Sequence, residues 1–221
     1  MDIDLTPLIA SWRFLARAAL TTLAISALSM LVGFVLGVLV GIGRSYGGRV
    51  LDLVLGFYVD SMRAIPVLVV LVWAYFAFPL VIGRTLDSTT ACVIGLGLHL
   101  GAYVAEAVRA GLTSVRQGQA RAALALGMSR LQAVRHVILP QALIRMLPPL
   151  GSLAVIAVKD SAIASVIAVP ELMRQSQILA GQTYRPFEIY TAAMLVYFLI
   201  CYPVARGVDA VYRRVAHLGS S

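Results

Sequence analysis

Apolar residues in this chain are gathered into long runs rather than spaced on one face. The first extends from Ala18 to Ile42 and the second from Val50 to Ile82, interrupted by Asp60, Arg63 and Pro66. Three more follow, Thr90 to Leu112, Pro149 to Val169 and Ile189 to Val211. A helix crossing a bilayer needs about 20 predominantly apolar residues, so the pattern predicts an all-α, polytopic membrane helical bundle of about five transmembrane helices. Composition agrees: with 60% hydrophobic and 13% charged residues, 221 residues cannot cover a water-soluble globule with polar surface. Little chain is left for a soluble catalytic domain.

The first run is too long for a removable secretion signal and lacks a clear small-residue cleavage site, so it is expected to stay as a span. Residues 1–17 carry Asp2, Asp4, Arg13 and Arg17 and form an N-terminal segment, either an interfacial amphipathic helix or an ordinary helix start. Residues 18–214 then make the transmembrane domain, and 215–221 a short tail.

Arginine sets the orientation. An odd number of spans puts the termini on opposite sides. One side holds Arg44, Arg49, Arg116, Arg121, Arg130, Arg135, Arg145, Arg206, Arg213 and Arg214, the other Arg84, Arg174 and Arg185. Positive residues favour the cytoplasm, which places the C-terminus and the polar segment around residues 117–140 inside and the N-terminus outside. The net charge of +8 is then topology. A nucleic-acid binder would need a basic groove with stacking aromatics on a soluble fold.

Candidate chemistry is sparse. Cys92 and Cys201 fall in predicted spans, and His99, His136 and His217 are scattered, so no metal cluster is indicated. No His-Glu-x-x-His pair occurs. Lys159 is the only lysine, with Asp160 after it and no glycine-rich loop before it, so the chain has no phosphate loop. If ATP drives this protein, another chain binds it, and no cofactor is expected here.

Glycines and buried charges mark the packing. Gly33, Gly37 and Gly41 form one smooth helical face for close approach, either within the bundle or at a subunit interface, and Gly95, Gly97 and Gly101 offer a similar surface. Charges inside spans cost roughly 2.5 to 3.5 kcal/mol each on insertion scales. Lys159, Asp160 and Ser161 therefore either belong to a buried network that fixes packing or line a polar path. Asp60 with Arg63 and Glu106 with Arg109 stand at i, i+3 and are expected to pair. Arg63 leads into Ala64-Ile65-Pro66, where proline disfavours helix in the preceding residue, and a broken helix there would aim Arg63 at the bundle interior.

The segment Gln117 to Pro140, QGQARAALALGMSRLQAVRHVILP, is the polar exception. Its alanines and leucines favour helix up to Leu126, Gly127 suits a left-handed cap with Met128 following, and Ser129 with Gln132 completes a capping box. Pro140 is expected to close the second helix. The result is a helix-turn-helix elbow between the third and fourth spans whose partly apolar surface needs a partner.

This elbow resembles the cytoplasmic coupling loop of ABC importer permeases, with Gly127 near its middle and Val137-Ile138-Leu139-Pro140 at its end. The wider chain is similar to the polar amino-acid uptake branch, of the histidine and glutamine permease kind. The matching residues are Arg63-Ala64-Ile65-Pro66, Ala102-Tyr103-Val104-Ala105-Glu106, Arg109-Ala110-Gly111, Gly118-Gln119, Pro140-Gln141-Ala142 and Lys159-Asp160-Ser161. The resemblance covers Leu20 to Tyr212. It implies a type I importer in which two permease subunits form the pathway and two ATPase subunits carry ATP and Mg. An extracytoplasmic solute-binding protein would deliver an amino acid. Coupling would involve Gln119, Arg121, Ala122, Ala123, Gly127, Met128, Ser129, Leu139 and Pro140, and the substrate path Arg63, Lys159, Asp160 and Ser161. Two residues depart from the family pattern: Arg121 stands where glutamate is usual, and Leu153 where some relatives taking cationic amino acids carry an acid. The latter disfavours a cationic substrate. The rival class, a channel or secondary carrier without an ATPase, commonly shows two inverted halves that this chain lacks.

Overall fold

The computed structural model describes residues 4–115 and 117–215, and among them there is no strand. A short α1 (Thr6–Ala10) leads into α2 (Trp12–Tyr46), a 35-residue helix. The chain reverses at Gly47-Gly48 into α3 (Arg49–Ala64), then α4 (Val67–Val72), a π-turn (Trp73–Ala77) and α5 (Phe78–Ile82). Asp87 caps α6 (Ser88–Thr113), its carboxylate accepting from the Thr90 N–H at 2.9 Å. Hydrogen bonds from Thr90, side chain before backbone, hold the Asp87 carboxyl below its ordinary value. The elbow follows as α7 (Gln117–Ala125) and α8 (Arg130–Ala133), then a second π-turn (Val134–Ile138) and α9 (Leu139–Ser161). A 3₁₀ segment (Ala162–Ile167), α10 (Leu172–Thr183) and α11 (Pro186–Val215) complete the bundle.

Helices Trp12–Tyr46, Ser88–Thr113, Arg130–Ile167 and Pro186–Val215 are each long and apolar enough to cross a bilayer, and the pair Arg49–Ala64 and Val67–Ile82, bent by 106°, adds a fifth when counted as one broken span. The fold is therefore the five-span helical bundle that the apolar runs predict.

α6 is the axis of the bundle. Leu96, Leu100, Ala102, Val104 and Ala105 are wholly buried on it, and α2, α3, α4 and α9 pack around it. The glycine faces serve this packing: a Cβ at Gly37 would sit 2.5 Å from Val104 Cβ, and one at Gly41 2.7 Å from the Ala105 carbonyl. Gly97 of α6 reciprocates, a Cβ there meeting Val32 at 2.7 Å. The four-residue glycine spacing of α2 is thus contact within the bundle, where backbones approach closely enough for dispersion to act along their length.

α10 stands outside the sequence expectations. Its sequence, LMRQSQILAGQT, has too little apolar length for a span, and its cap is Glu171, a weak N-cap residue by type. The wholly buried Glu171 carboxylate accepts from the N–H groups of Met173 at 2.8 Å and Arg174 at 2.6 Å and from the Tyr197 hydroxyl at 2.7 Å. The Leu172 N–H donates to Thr22 Oγ1 at 3.0 Å. One acid thereby ties α10 to α11 beside the wall of α2, every oxygen satisfied as burial requires.

The predicted stop at Pro140 does not occur. Helix continues from Arg130 to Ile167 over 38 residues. Proline lacks an N–H and its ring clashes with the carbonyl four residues back. The π-turn accommodates both by lengthening the preceding hydrogen bonds, the Leu139 N–H donating to the Val134 carbonyl five residues away. Pro148 and Pro149 are likewise carried inside α9, so the fourth span begins well before Pro149.

Candidate functional site

The elbow is built as its sequence demands. Gly127 adopts φ +84, the Met128 N–H donates to the Ala123 carbonyl at 3.2 Å and the Gly127 N–H to the Leu124 carbonyl at 3.0 Å. This is the paired 6→1 and 5→2 closure of a Schellman motif. Ser129 Oγ then accepts from the Gln132 N–H at 3.3 Å while the Gln132 side-chain oxygen accepts from the Ser129 N–H at 2.8 Å, a complete capping box. Four orphan backbone donors and acceptors are satisfied within the ten residues from Ala123 to Gln132, which fixes the angle between α7 and α8.

The elbow is also rooted. Ala123 and Ala133 are buried, and α7 packs on α8 and on the π-turn after it. Gln141 Nε2 donates to Gln119 Oε1 at 2.8 Å, and the Arg145 guanidinium donates to the Ser114 carbonyl and, at 3.1 Å, to its hydroxyl. The tip is apolar and open: Leu126 is 81% exposed and Leu131 77%. Arg121 and Ala122 are exposed on α7, Met128 is half-buried, and Leu139 and Pro140 lie exposed at the start of α9.

A cleft of about 650 Å³ opens beside α9, lined among others by Arg63 of α3, Tyr103 and Glu106 of α6, and Arg145, Ser152 and Leu153 of α9. Pro66 creates it. Ile65 is extended at φ −88 and ψ 132, and the chain turns by 106° there, as the residue before proline is pushed to do. Arg63, in the last turn before the break, does not pair with Asp60. Its guanidinium lies over the Tyr103 ring at 5.6 Å from the centroid, a cation–π contact that draws it across to α6. Asp60 makes no ion pair among the described residues, so its expected structural role is corrected on geometry.

Glu106 holds the acidic side of the cleft. Arg109 Nη2 meets Glu106 Oε1 at 2.6 Å, and Arg44 Nη1 meets Glu106 Oε2 at 3.2 Å. Arg44 also reaches Asp52 Oδ1 at 3.1 Å through Nε, so one guanidinium joins α2, α3 and α6. In the sequence alone Arg44 is a topology marker. Its partners come within reach only through the reversal at Gly47-Gly48, which no local spacing reveals.

Lys159, Asp160 and Ser161 separate. Ser161 is fully buried with its hydroxyl donating to the Val158 carbonyl at 2.8 Å, so it faces the interior of this chain. Asp160 is half-buried. Lys159 is exposed and lines grooves between α9 and α11, of about 440 Å³ with Tyr197 and Tyr202, and of about 360 Å³ with Ser152 and Asp209. Arg63 and Lys159 therefore stand in different clefts, which meet at Ser152 on the ridge of α9.

Residues 33–217 match the family described as binding-protein-dependent transport system inner membrane component. The chain is 37% identical over 201 residues to the glutamine transport system permease protein GlnP of Escherichia coli strain K12, with 90% of this chain and 92% of that protein covered. It is 35% identical over 209 residues to the probable amino-acid ABC transporter permease protein YckA of Bacillus subtilis strain 168, covering 95% and 92%. A crystal structure of an amino acid ABC transporter with histidines superposes with a TM-score of 0.90 at 32% identity, over 97% of this chain and 100% of that one. The MetNI methionine ABC transporter in an inward-facing form shares the fold, with a TM-score of 0.79 at 23% identity over 93% and 98%. A bundle of apolar helices with a doubly capped exposed elbow and an open cleft, matched over nearly its whole length, belongs to the family of inner-membrane components of binding-protein-dependent transport systems and is a multi-pass permease subunit.

Proposed function

We propose that this chain forms part of the translocation pathway of an ATP-driven importer for a polar or acidic amino acid. The observation that carries the reading is the elbow: a doubly capped turn with Leu126 and Leu131 exposed at its tip, rooted on the same helix that walls the cleft. In this scheme the elbow lies on the cytoplasmic side and docks on an ATPase subunit that binds ATP and Mg. A second permease copy or sister subunit completes the path, and an extracytoplasmic binding protein delivers ligand.

Closure of the ATPase dimer would move the elbow, and with it the continuous helix Arg130–Ile167. At 1.5 Å per residue that rod is roughly 57 Å long, so a small tilt at its root displaces Ser152, Leu153 and Lys159 as one body. Arg63 offers a planar donor for a substrate carboxylate, and Leu153 leaves the cleft wall apolar at its side. That suits a zwitterion or an acid better than a cation.

Two readouts test the proposal. An ATPase subunit should co-purify with the wild type and be lost with Gly127→Val and with Leu131→Asp; retention by both would overturn the docking role. Asp160→Asn should insert and support basal ATP hydrolysis but lose uptake of radiolabelled amino acid. Unchanged uptake would remove Asp160 from the path.

A further inference from the structure

A separate pocket of about 280 Å³ lies at the root of the elbow, between α2, α6 and the rod. Val38 and Tyr46 of α2, Leu112 of α6, and Val134, Leu139 and Leu143 of the rod are among its walls, and all of its lining is apolar or aromatic. Water entering such a space would find too few polar partners to stay. Its rim is open to the outside of the bundle: Ile42 is 45% and Leu143 53% exposed.

Two arginines stand next to its lining in the chain. Arg49 follows Tyr46 after the glycine pair, and Arg135 follows Val134 directly; both are exposed. Neither makes an ion pair among the described residues, whereas Arg44 nearby is engaged twice. An apolar slot open to hydrocarbon, with uncompensated guanidinium groups where the span ends, matches a molecule carrying a hydrocarbon tail and a phosphate. A soluble partner's side chain would have no reason to enter from the bilayer side.

We propose that this pocket holds one acyl chain of an anionic phospholipid whose phosphate is bound by Arg49 and Arg135. The tail rests against Val134 and Leu139, which begin and follow the π-turn, so the lipid steadies the joint between elbow and α9. Its effect on transport rests on the coupling reading above; its binding does not.

Spin-labelled phosphatidylglycerol and phosphatidylcholine, added to the purified importer complex, measure the binding directly. Wild type should hold motion-restricted phosphatidylglycerol in preference to phosphatidylcholine, and Arg135→Gln should reduce that preference by about fivefold. Leu143→Trp should fill the slot and remove the preferential component. Equal association of the two lipids with wild type, or an undiminished preference in either variant, overturns the site. Uptake per ATP hydrolysed is then compared in vesicles of phosphatidylcholine with and without phosphatidylglycerol. A higher ratio with phosphatidylglycerol is expected, and an unchanged ratio overturns the steadying role while leaving the binding result intact.

Discussion

Pro66 and Pro140 present the backbone with the same problem, and the fold answers it in opposite ways. At Pro66 the helix gives up: Ile65 turns extended and the axis swings by 106°. At Pro140 it widens for one turn over Val134–Ile138 and continues to Ile167. Pro79 repeats the second answer, with a π-turn at Trp73–Ala77 and the Phe78 N–H donating to the Trp73 carbonyl. Proline's own geometry therefore does not decide between bend and bulge. At Pro66 the bend lets Arg63 reach Tyr103 while α4 turns to pack on α6. At Pro140 the continuation lets Gln141 and Arg145 tie the rod to Gln119 and Ser114. One proline sits at a bend beside the cleft, and the other lies inside a helix that stays joined to the elbow.

Substitutions sharpen that contrast. Proline disfavours a helix interior by about 3 kcal/mol, so Pro66→Ala should let helix close across residues 62–67, displace Arg63 and lower uptake by roughly tenfold or more, while ATPase co-purification persists. Uptake near the wild-type rate would mean that the bend is dictated by packing of α4 alone. Pro140→Ala should have a smaller effect: release of the π-turn rotates the elbow against α9 by up to about 100°, the angle per helical residue. Uptake per ATP hydrolysed should then fall by severalfold with expression unchanged. Pro79→Ala is expected to leave both measurements unchanged, because its π-turn carries no residue of elbow or cleft; a loss matching Pro140→Ala would show that π-turns serve span packing generally.

What the sequence makes legible follows the range of the forces involved. Apolar runs give the spans, since hydrocarbon solvent acts on every residue within about 20 positions. Gly127, Ser129 and Gln132 give the elbow, because caps are satisfied within four residues. The Pro140 stop fails because a π-turn depends on what the following helix packs against. The Arg44–Asp52–Glu106 junction stays hidden until the chain reverses at Gly47-Gly48 and brings α2 and α3 to α6. Arg63 shows both sides of this: its place before a helix break is legible, but its preference for Tyr103 over Asp60 is a tertiary choice.

Lys159, exposed in the groove between α9 and α11, is the chain's single lysine. An amine-directed label on a side chain of this subunit has one address, on the rod itself. A fluorophore or crosslinker placed there by ordinary chemistry, with no engineered cysteine and Cys92 and Cys201 left intact, would test whether α9 tilts during turnover.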